Sequence, residues 1–326
     1  MNSSKVPTRG FEGAVNLLRT CANVKRGDQV LVVTDSATDP EVAGTIMAAA
    51  VALHVEATKM VMSPRALPGD EPPAPVVAAM LRANVVICPT SRTLYHTNAR
   101  IAACRKGARF ISMAGATMPV LASKAMVADF RRQARLLNKL ANRLTRAQHI
   151  RVTNPAGTNL EFNVEGRTGY EVSGMATHPG EATGTPDIEA YIAPLEKESN
   201  GVLFVDGSTS VTGVVRQPIK ITIRNGMARS FGDGSDALRL SRILREAGSR
   251  AAYRVCEFGI GLNPLARIRG SIIEDEGKLG TAHVALGDNT RIGGTNKAPT
   301  HVDLVFRNPH VQLDGISVLK GKRFMI

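Results

Sequence analysis

The first part of the chain alternates short, unbroken apolar runs with stretches of helical texture. Gln29-Val30-Leu31-Val32-Val33-Thr34 reads as a strand buried on both faces, and an alanine-rich helix is predicted over residues 40–53. A second strand is expected over 55–62, then a proline-rich loop with Pro64, Pro68, Pro72, Pro73 and Pro75. Helices over 76–83 and 100–106 alternate with strands over 85–88 and 109–113. Repeated strand–helix units predict a parallel sheet covered by helices on both faces. No G-x-G-x-x-G follows the first strand, which argues against a dinucleotide site.

Between Arg131 and Arg146 the basic residues recur at helical spacing beside Leu136, Leu137, Leu140 and Leu144, so an amphipathic helix ends near Gln148. From His149 the texture changes to short strands and tight turns. Asn154-Pro155-Ala156-Gly157, Arg224-Asn225-Gly226 and Asp314-Gly315 each sit between alternating runs, the signature of hairpins. One helix is expected over 235–247. The reading is an α/β protein: a parallel-sheet, doubly wound-like α/β domain over 1–148 and a mixed α+β domain over 149–326.

Composition narrows the function classes. At 326 residues, with 43% hydrophobic and 21% charged positions, the chain reads as a soluble globular protein of about two domains. No apolar run approaches the roughly 20 residues of a membrane helix. The first residues lack the apolar core of a signal peptide, which predicts a cytoplasmic protein. Four scattered cysteines (Cys21, Cys88, Cys104, Cys256) read as buried free thiols. The net charge of +13 is spread along the chain, aromatics are 4% and tryptophan is absent, so a nucleic-acid partner is not expected. Such a field does attract small anionic substrates.

The candidate chemistry lies late in the chain. Residues 301 and 303 of His301-Val302-Asp303 fall on one face of a strand, so one short element can offer two metal donors. His283 sits mid-strand in Ala282-His283-Val284-Ala285-Leu286, either as a satisfied core histidine or as a ligand. Glu257 interrupts an apolar strand that continues into Phe258-Gly259-Ile260-Gly261, where a buried carboxylate needs a partner or a cation. Glu189 is a weaker donor candidate. His96 and His178 lie in loop contexts suited either to acid–base work or to ordinary surface positions. Glu274, Asp275 and Glu276 read as a loop charge run and not as ligands. Imidazole with carboxylate suits iron, zinc, cobalt or manganese.

These segments resemble the metallopeptidase family typified by thermophilic aminopeptidase T and staphylococcal aminopeptidase S, which includes 2,5-dihydroxypyridine 5,6-dioxygenase. The resemblance runs from Thr90-Ser91 through His96, Gly107-Ala108-Arg109 and Met113-Ala114-Gly115 to Glu189-Ala190-Tyr191-Ile192-Ala193-Pro194. It continues through Glu257 to Pro264, His283 to Gly287, and Gly293-Gly294 to Asp303. For the aminopeptidases it implies two zinc, cobalt or manganese ions held by Glu189, Glu257, His283, His301 and Asp303. The tyrosine expected in that set is Thr290 here, and the segment between His283 and His301 is short. For the dioxygenase it implies one Fe(II) held by His283, His301 and Asp303, with positions open for substrate and O2. The expectation is an iron-dependent, extradiol-type enzyme opening a small, anionic hydroxylated (N-hetero)aromatic ring, with His96 or His178 taking a proton. The alternative is a dinuclear aminopeptidase in which Glu257 bridges the ions or acts as base. Either way a homo-oligomer is expected.

Overall fold

A computed structural model describes residues 9–325. The described chain falls into two compact units. The first runs up to Phe130 and regains the chain over Val172–Pro186; the second comprises Arg131–Glu171 and the described residues from Asp187 onward.

The first unit is built on a five-stranded parallel sheet. Its order is Glu56–Met62, Gln29–Asp35, Val85–Cys88, Arg109–Ser112, Ala182–Gly184. The helix Pro40–Ala52 starts with proline in its first turn, and the Asp39 carboxylate accepts from the Glu41 N–H. Leu31, Val33, Val86 and Phe110 project from the strands into one cluster with Val76 and Met80. Arg109, predicted in a strand, is buried there. Its guanidinium donates to the carbonyls of Ala22 and Asn23 and pairs with Asp28 at 2.6 Å, which satisfies a charge that would otherwise be costly.

The second unit holds two sheets of mainly antiparallel strands. The eight-stranded sheet runs Met227–Phe231, Ile219–Arg224, Ser199–Val205, Asn159–Asn163, His149–Thr153, His310–Leu313, Ile316–Lys320, Arg323–Phe324. Asn225 and Gly226 have φ of 50° and 70°, and Asp314 and Gly315 48° and 81°. Both pairs are the left-handed turns that suit the twist of a two-residue hairpin. The seven-stranded sheet runs Gly213–Val214, Ser208–Thr209, His301–Arg307, Thr281–Gly287, Val255–Gly261, Glu189–Ile192, Gly169–Val172. The rings of Phe162 and Phe258 meet between the sheets at 5.1 Å. The helix Phe130–Arg146 buries Leu137, Leu140 and Leu144 and leaves its arginines exposed, as the periodicity predicts. All four cysteines are free and buried. No helix among the described residues is long and apolar enough to cross a membrane.

Phe258 is fully buried at the junction of the two sheets. Phe258→Ala is expected to cost about 3–5 kcal/mol in unfolding free energy, read from urea denaturation.

Candidate metal centre

Four adjacent strands of the seven-stranded sheet carry the donors. Glu257 stands opposite Ala285, which stands opposite Asp303. Gly259 faces both His283 and Tyr191, Gly261 faces Glu189, and Gly287 faces His301. Cross-strand partners share a face, so Glu189, Glu257, His283, His301 and Asp303 all project from the same side. The positions between them are glycine or alanine, which leaves that side open for five large polar groups. On the reverse side Phe258, Ile260, Val284, Leu286, Val302 and Leu304 are buried apolar residues. Two periodicities of one pleat thus separate core from chemistry.

Gly259 is specifically required. A Cβ placed there would lie 2.0 Å from Cε1 of His283, so the imidazole lies directly over the glycine. Around that ring the polar atoms form a chain. His283 Nδ1 lies 3.5 Å from Glu189 Oε2, and His283 Nε2 lies 3.4 Å from Glu257 Oε1. The other oxygen of Glu257 lies 3.4 Å from His301 Nε2, which is 3.2 Å from Asp303 Oδ1. His301 Nδ1 donates to the Asp288 carbonyl at 2.8 Å, since a carbonyl can only accept. Its Nε2 is therefore the atom directed at the carboxylates. The His283 side chain is 1% exposed, Glu189 7%, Glu257 8%, Asp303 13% and His301 35%. The cluster is closed on one side and accessible at His301.

Two further carboxyl groups join it. Donor atoms of Glu189, Glu257 and His283 lie within 4.8 Å of one another, as do those of Glu276, His283 and Asp303, and those of Asp187, Glu189 and Glu276. Gly277 makes the approach of Asp187 possible, because a Cβ there would lie 2.3 Å from Asp187 Oδ1.

So many acids in one place shift one another. Burial, then the neighbouring carboxylates, push Asp187, Glu189 and Glu276 well above the usual carboxylate range. Burial also opposes the charge of Glu257, but hydrogen bonds to His283 and His301 and their positive charge hold it at about 2. Burial lowers His301, and Cys256 and Asp303 more than reverse this, raising it well above the histidine range.

The donor set fits a divalent cation on a separate ground. Asp187 Oδ1, Glu189 Oε2 and His283 Nδ1 are buried atoms that make no hydrogen bond. Buried polar atoms are nearly always paired, and an unpaired group costs about 1–3 kcal/mol. Glu189 shares one donor group with His283 and another with Asp187, so a cation there would satisfy atoms left unpaired.

The structure brings together five of the seven residues singled out in the sequence. His96 and His178 lie in the first unit and are not members of the donor groups. His96 packs edge-on to Tyr95, with ring centroids 5.2 Å apart. His178 is 79% exposed, and its Nδ1 lies 3.0 Å from Glu181 Oε1. Residues 274–276, read as a loop charge run, are not a surface loop: a helix spans Ile272–Asp275. Glu274 and Asp275 are fully buried and brace the preceding loop, accepting from the N–H groups of Arg267, Arg269 and Gly270. Glu276 enters the cluster. Asp187, also missed, carries the same two-residue spacing to Glu189 that marks His301 and Asp303, and that spacing was its available signal.

A model of the NicX family, 2,5-dihydroxypyridine 5,6-dioxygenase, matches residues 14–325. The chain is 24% identical over 188 residues to the 2,5-dihydroxypyridine 5,6-dioxygenase of Pseudomonas putida KT2440, covering 54% of each chain. The match thus spans about half the length of that curated relative. Among solved structures, the 2,5-dihydroxypyridine dioxygenase from Pseudomonas putida KT2440 superposes with a TM-score of 0.80 at 19% identity, over 97% of this chain and 96% of that one. Wild-type AmpT from Thermus thermophilus superposes with a TM-score of 0.69 at 15% identity, over 98% and 99%. At these identities the superpositions show the fold.

Gly259→Ala is expected to displace the His283 ring and lower divalent-metal binding at least tenfold, measured by metal titration of the folded variant. A pH dependence follows from the raised carboxyls. Each holds a proton in the folded chain that the unfolded chain releases, so its stabilisation is present at low pH and lost as pH rises through the raised value. The melting temperature of metal-free protein is expected to fall as pH rises from the ordinary carboxylate range towards the raised values, with saturating Co(II) flattening or reversing the trend. Glu257 acts in the opposite sense, but its contribution is lost only in acid, below that window. Parallel melting curves with and without metal would contradict the assignment.

Proposed function

The chain belongs to the 2,5-dihydroxypyridine 5,6-dioxygenase family, and we propose that it is a metal-dependent dioxygenase that opens a small hydroxylated N-heteroaromatic ring. The observation that carries this reading is that His283, His301 and Asp303 share one face of two adjacent strands, His283 grouping with Asp303 and Glu276 and His301 lying 3.2 Å from Asp303. Two imidazoles and a carboxylate are the donor set of non-haem Fe(II) oxygenases, and we assign Fe(II) to it. When bound, Fe(II) supplies open coordination positions and the electron transfer that lets dioxygen react with a ring.

The residues of the chain supply the rest. The donor positions are fixed by the sheet, and Gly259 and the Asp288 carbonyl set the orientation of the two imidazoles. The apolar reverse face keeps the sheet rigid beneath them. Excess positive charge draws an anionic hydroxypyridine toward the protein. In His178, within the first unit, the Nδ1–H donates to Glu181 Oε1.

A second reading rests on Glu189 and Glu257. A facial triad does not need them, whereas two ions bridged by a carboxylate do. They lie against His283, and Glu189 carries an unpaired buried oxygen. Such a donor set would hold two ions as in the aminopeptidases, and these would supply an activated water for hydrolysis.

The test is metal content per chain after anaerobic purification, paired with oxygen uptake in the presence of 2,5-dihydroxypyridine. One iron per chain with substrate-dependent oxygen consumption, lost in Asp303→Asn, is the expected result. Two zinc, cobalt or manganese ions per chain, no oxygen uptake and release of leucine from leucyl amide would replace it with the hydrolytic reading.

A further inference from the structure

Residues 288–300 join the His283 strand to the His301 strand, and Asp288 in this loop offers the carbonyl that orients His301. The loop has no regular hydrogen-bonding ladder of its own, so its shape depends on side chains. One residue outside it, Glu196, reaches three parts of the network. Glu196 Oε1 accepts from the Thr295 N–H at 2.7 Å and from Asn289 Nδ2 at 3.4 Å. Glu196 Oε2 pairs with Arg167 Nη2 at 2.6 Å, both side chains being largely buried. Arg167 also donates to the Gly293 carbonyl.

From Asn289 the bonding continues inward. Its Oδ1 accepts from the Asn296 N–H at 2.8 Å, and Asn296 Nδ2 donates to the Gly287 carbonyl at 2.6 Å, next to Asp288. The Asp288 N–H donates to the Thr300 carbonyl at 2.8 Å, closing the base of the loop beside His301. Gly294 lies so close to the Asn289 carboxamide that a Cβ would fall 2.0 Å from Asn289 Cγ. The loop is therefore fixed around Glu196 and Asn289, and its fixed end presents a carbonyl to His301 Nδ1.

We infer that Glu196 is a positioning residue for His301: with Arg167 and Asn289 it holds the 288–300 loop so that the Asp288 carbonyl accepts from the Nδ1–H and leaves Nε2 for the metal. The inference rests on the metal-centre reading above. Hydrogen-bonding partners of ligating imidazoles are worth roughly 10–100-fold in metal affinity. A residue that only stabilises the fold would change the melting temperature and leave the metal's surroundings untouched.

The experiment uses Co(II) as probe on the full chain, whose visible spectrum reports ligand geometry. The comparison is wild type, Glu196→Ala, Glu196→Gln, His301→Ala, and Glu196→Ala combined with His301→Ala. Glu196→Ala is expected to weaken Co(II) binding roughly 10–100-fold and to alter the spectrum. Glu196→Gln, which keeps an oxygen for the Thr295 N–H but loses the Arg167 ion pair, should fall between wild type and Glu196→Ala. In the His301→Ala background, removing Glu196 should weaken binding no further. Unchanged affinity and spectrum in both Glu196 variants, or an equal loss with and without His301, would overturn the inference. Should Glu196→Ala fail to fold, Glu196→Gln decides alone. Wild-type protein that binds no Co(II) would instead overturn the metal-centre reading, so the two failures are distinct.

Discussion

The second unit is organised around a concentration of like charge. Asp187, Glu189, Glu257, Glu276 and Asp303 surround two imidazoles in a largely buried space. Burial first, and then the neighbouring carboxylates, disfavour ionisation of Asp187, Glu189 and Glu276 and raise their pKa values. A metal-free chain resolves this crowding by retaining protons. A loaded chain resolves it by coordination, so metal affinity and proton release are linked in one equilibrium. Crowding that destabilises the empty protein is thus the source of the binding free energy.

Holding such a cluster requires a frame that does not relax. A strand at the centre of a sheet packed on a second sheet supplies one. Glu257, His283 and Asp303 sit on three neighbouring strands whose reverse faces bury Phe258, Val284 and Leu304. Their side chains cannot separate without breaking both the ladder and the inter-sheet core. The space they occupy is made by absence: Gly259 beneath His283, Gly261 opposite Glu189, Ala285 between Glu257 and Asp303. The price of these small residues is lost packing on the polar side, and the apolar side offsets it. Where the sheet ends, at His301, the frame passes to a loop, and the loop needs its own bracing through Glu196.

Much of this was legible in the chain because strands have period two. His301-x-Asp303 places both groups on one face whatever the rest of the fold does, and Asn225-Gly226 and Asp314-Gly315 adopt the φ values that their hairpins need. Glu257 and His283 stood out as polar residues inside apolar runs, and both prove to be buried. Glu276 was not legible. In a run of three acids, local sequence favours solvent, and only the close approach of the Glu276–Lys278 backbone to Gly261 draws it inward. The strand Ala182–Gly184 was missed for a related reason: three residues carry no periodicity, and its place in the parallel sheet is set by its partner Arg109–Ser112. Glu196 has no such signal, since a loop brace has no spacing rule.

The number of donors also bears on the chemistry. A facial triad uses His283, His301 and Asp303, and leaves Glu189, Asp187 and Glu276 beside a single ion. Those groups would then keep the protons that their crowding favours, and a neutral carboxyl donates a hydrogen bond where a carboxylate cannot. An anionic hydroxypyridine would find donors as well as a cation. With two ions the same groups are ligands, fully ionised, and the site becomes an acceptor-rich cradle suited to a bridging water and a substrate amine. The protein sequence is compatible with either charge state, and the difference lies in how many protons the cluster keeps when metal is bound. Thr290, which the resemblance matches to the tyrosine of the aminopeptidases, bonds to the Asp288 carboxylate. That contact strengthens the loop beside His301.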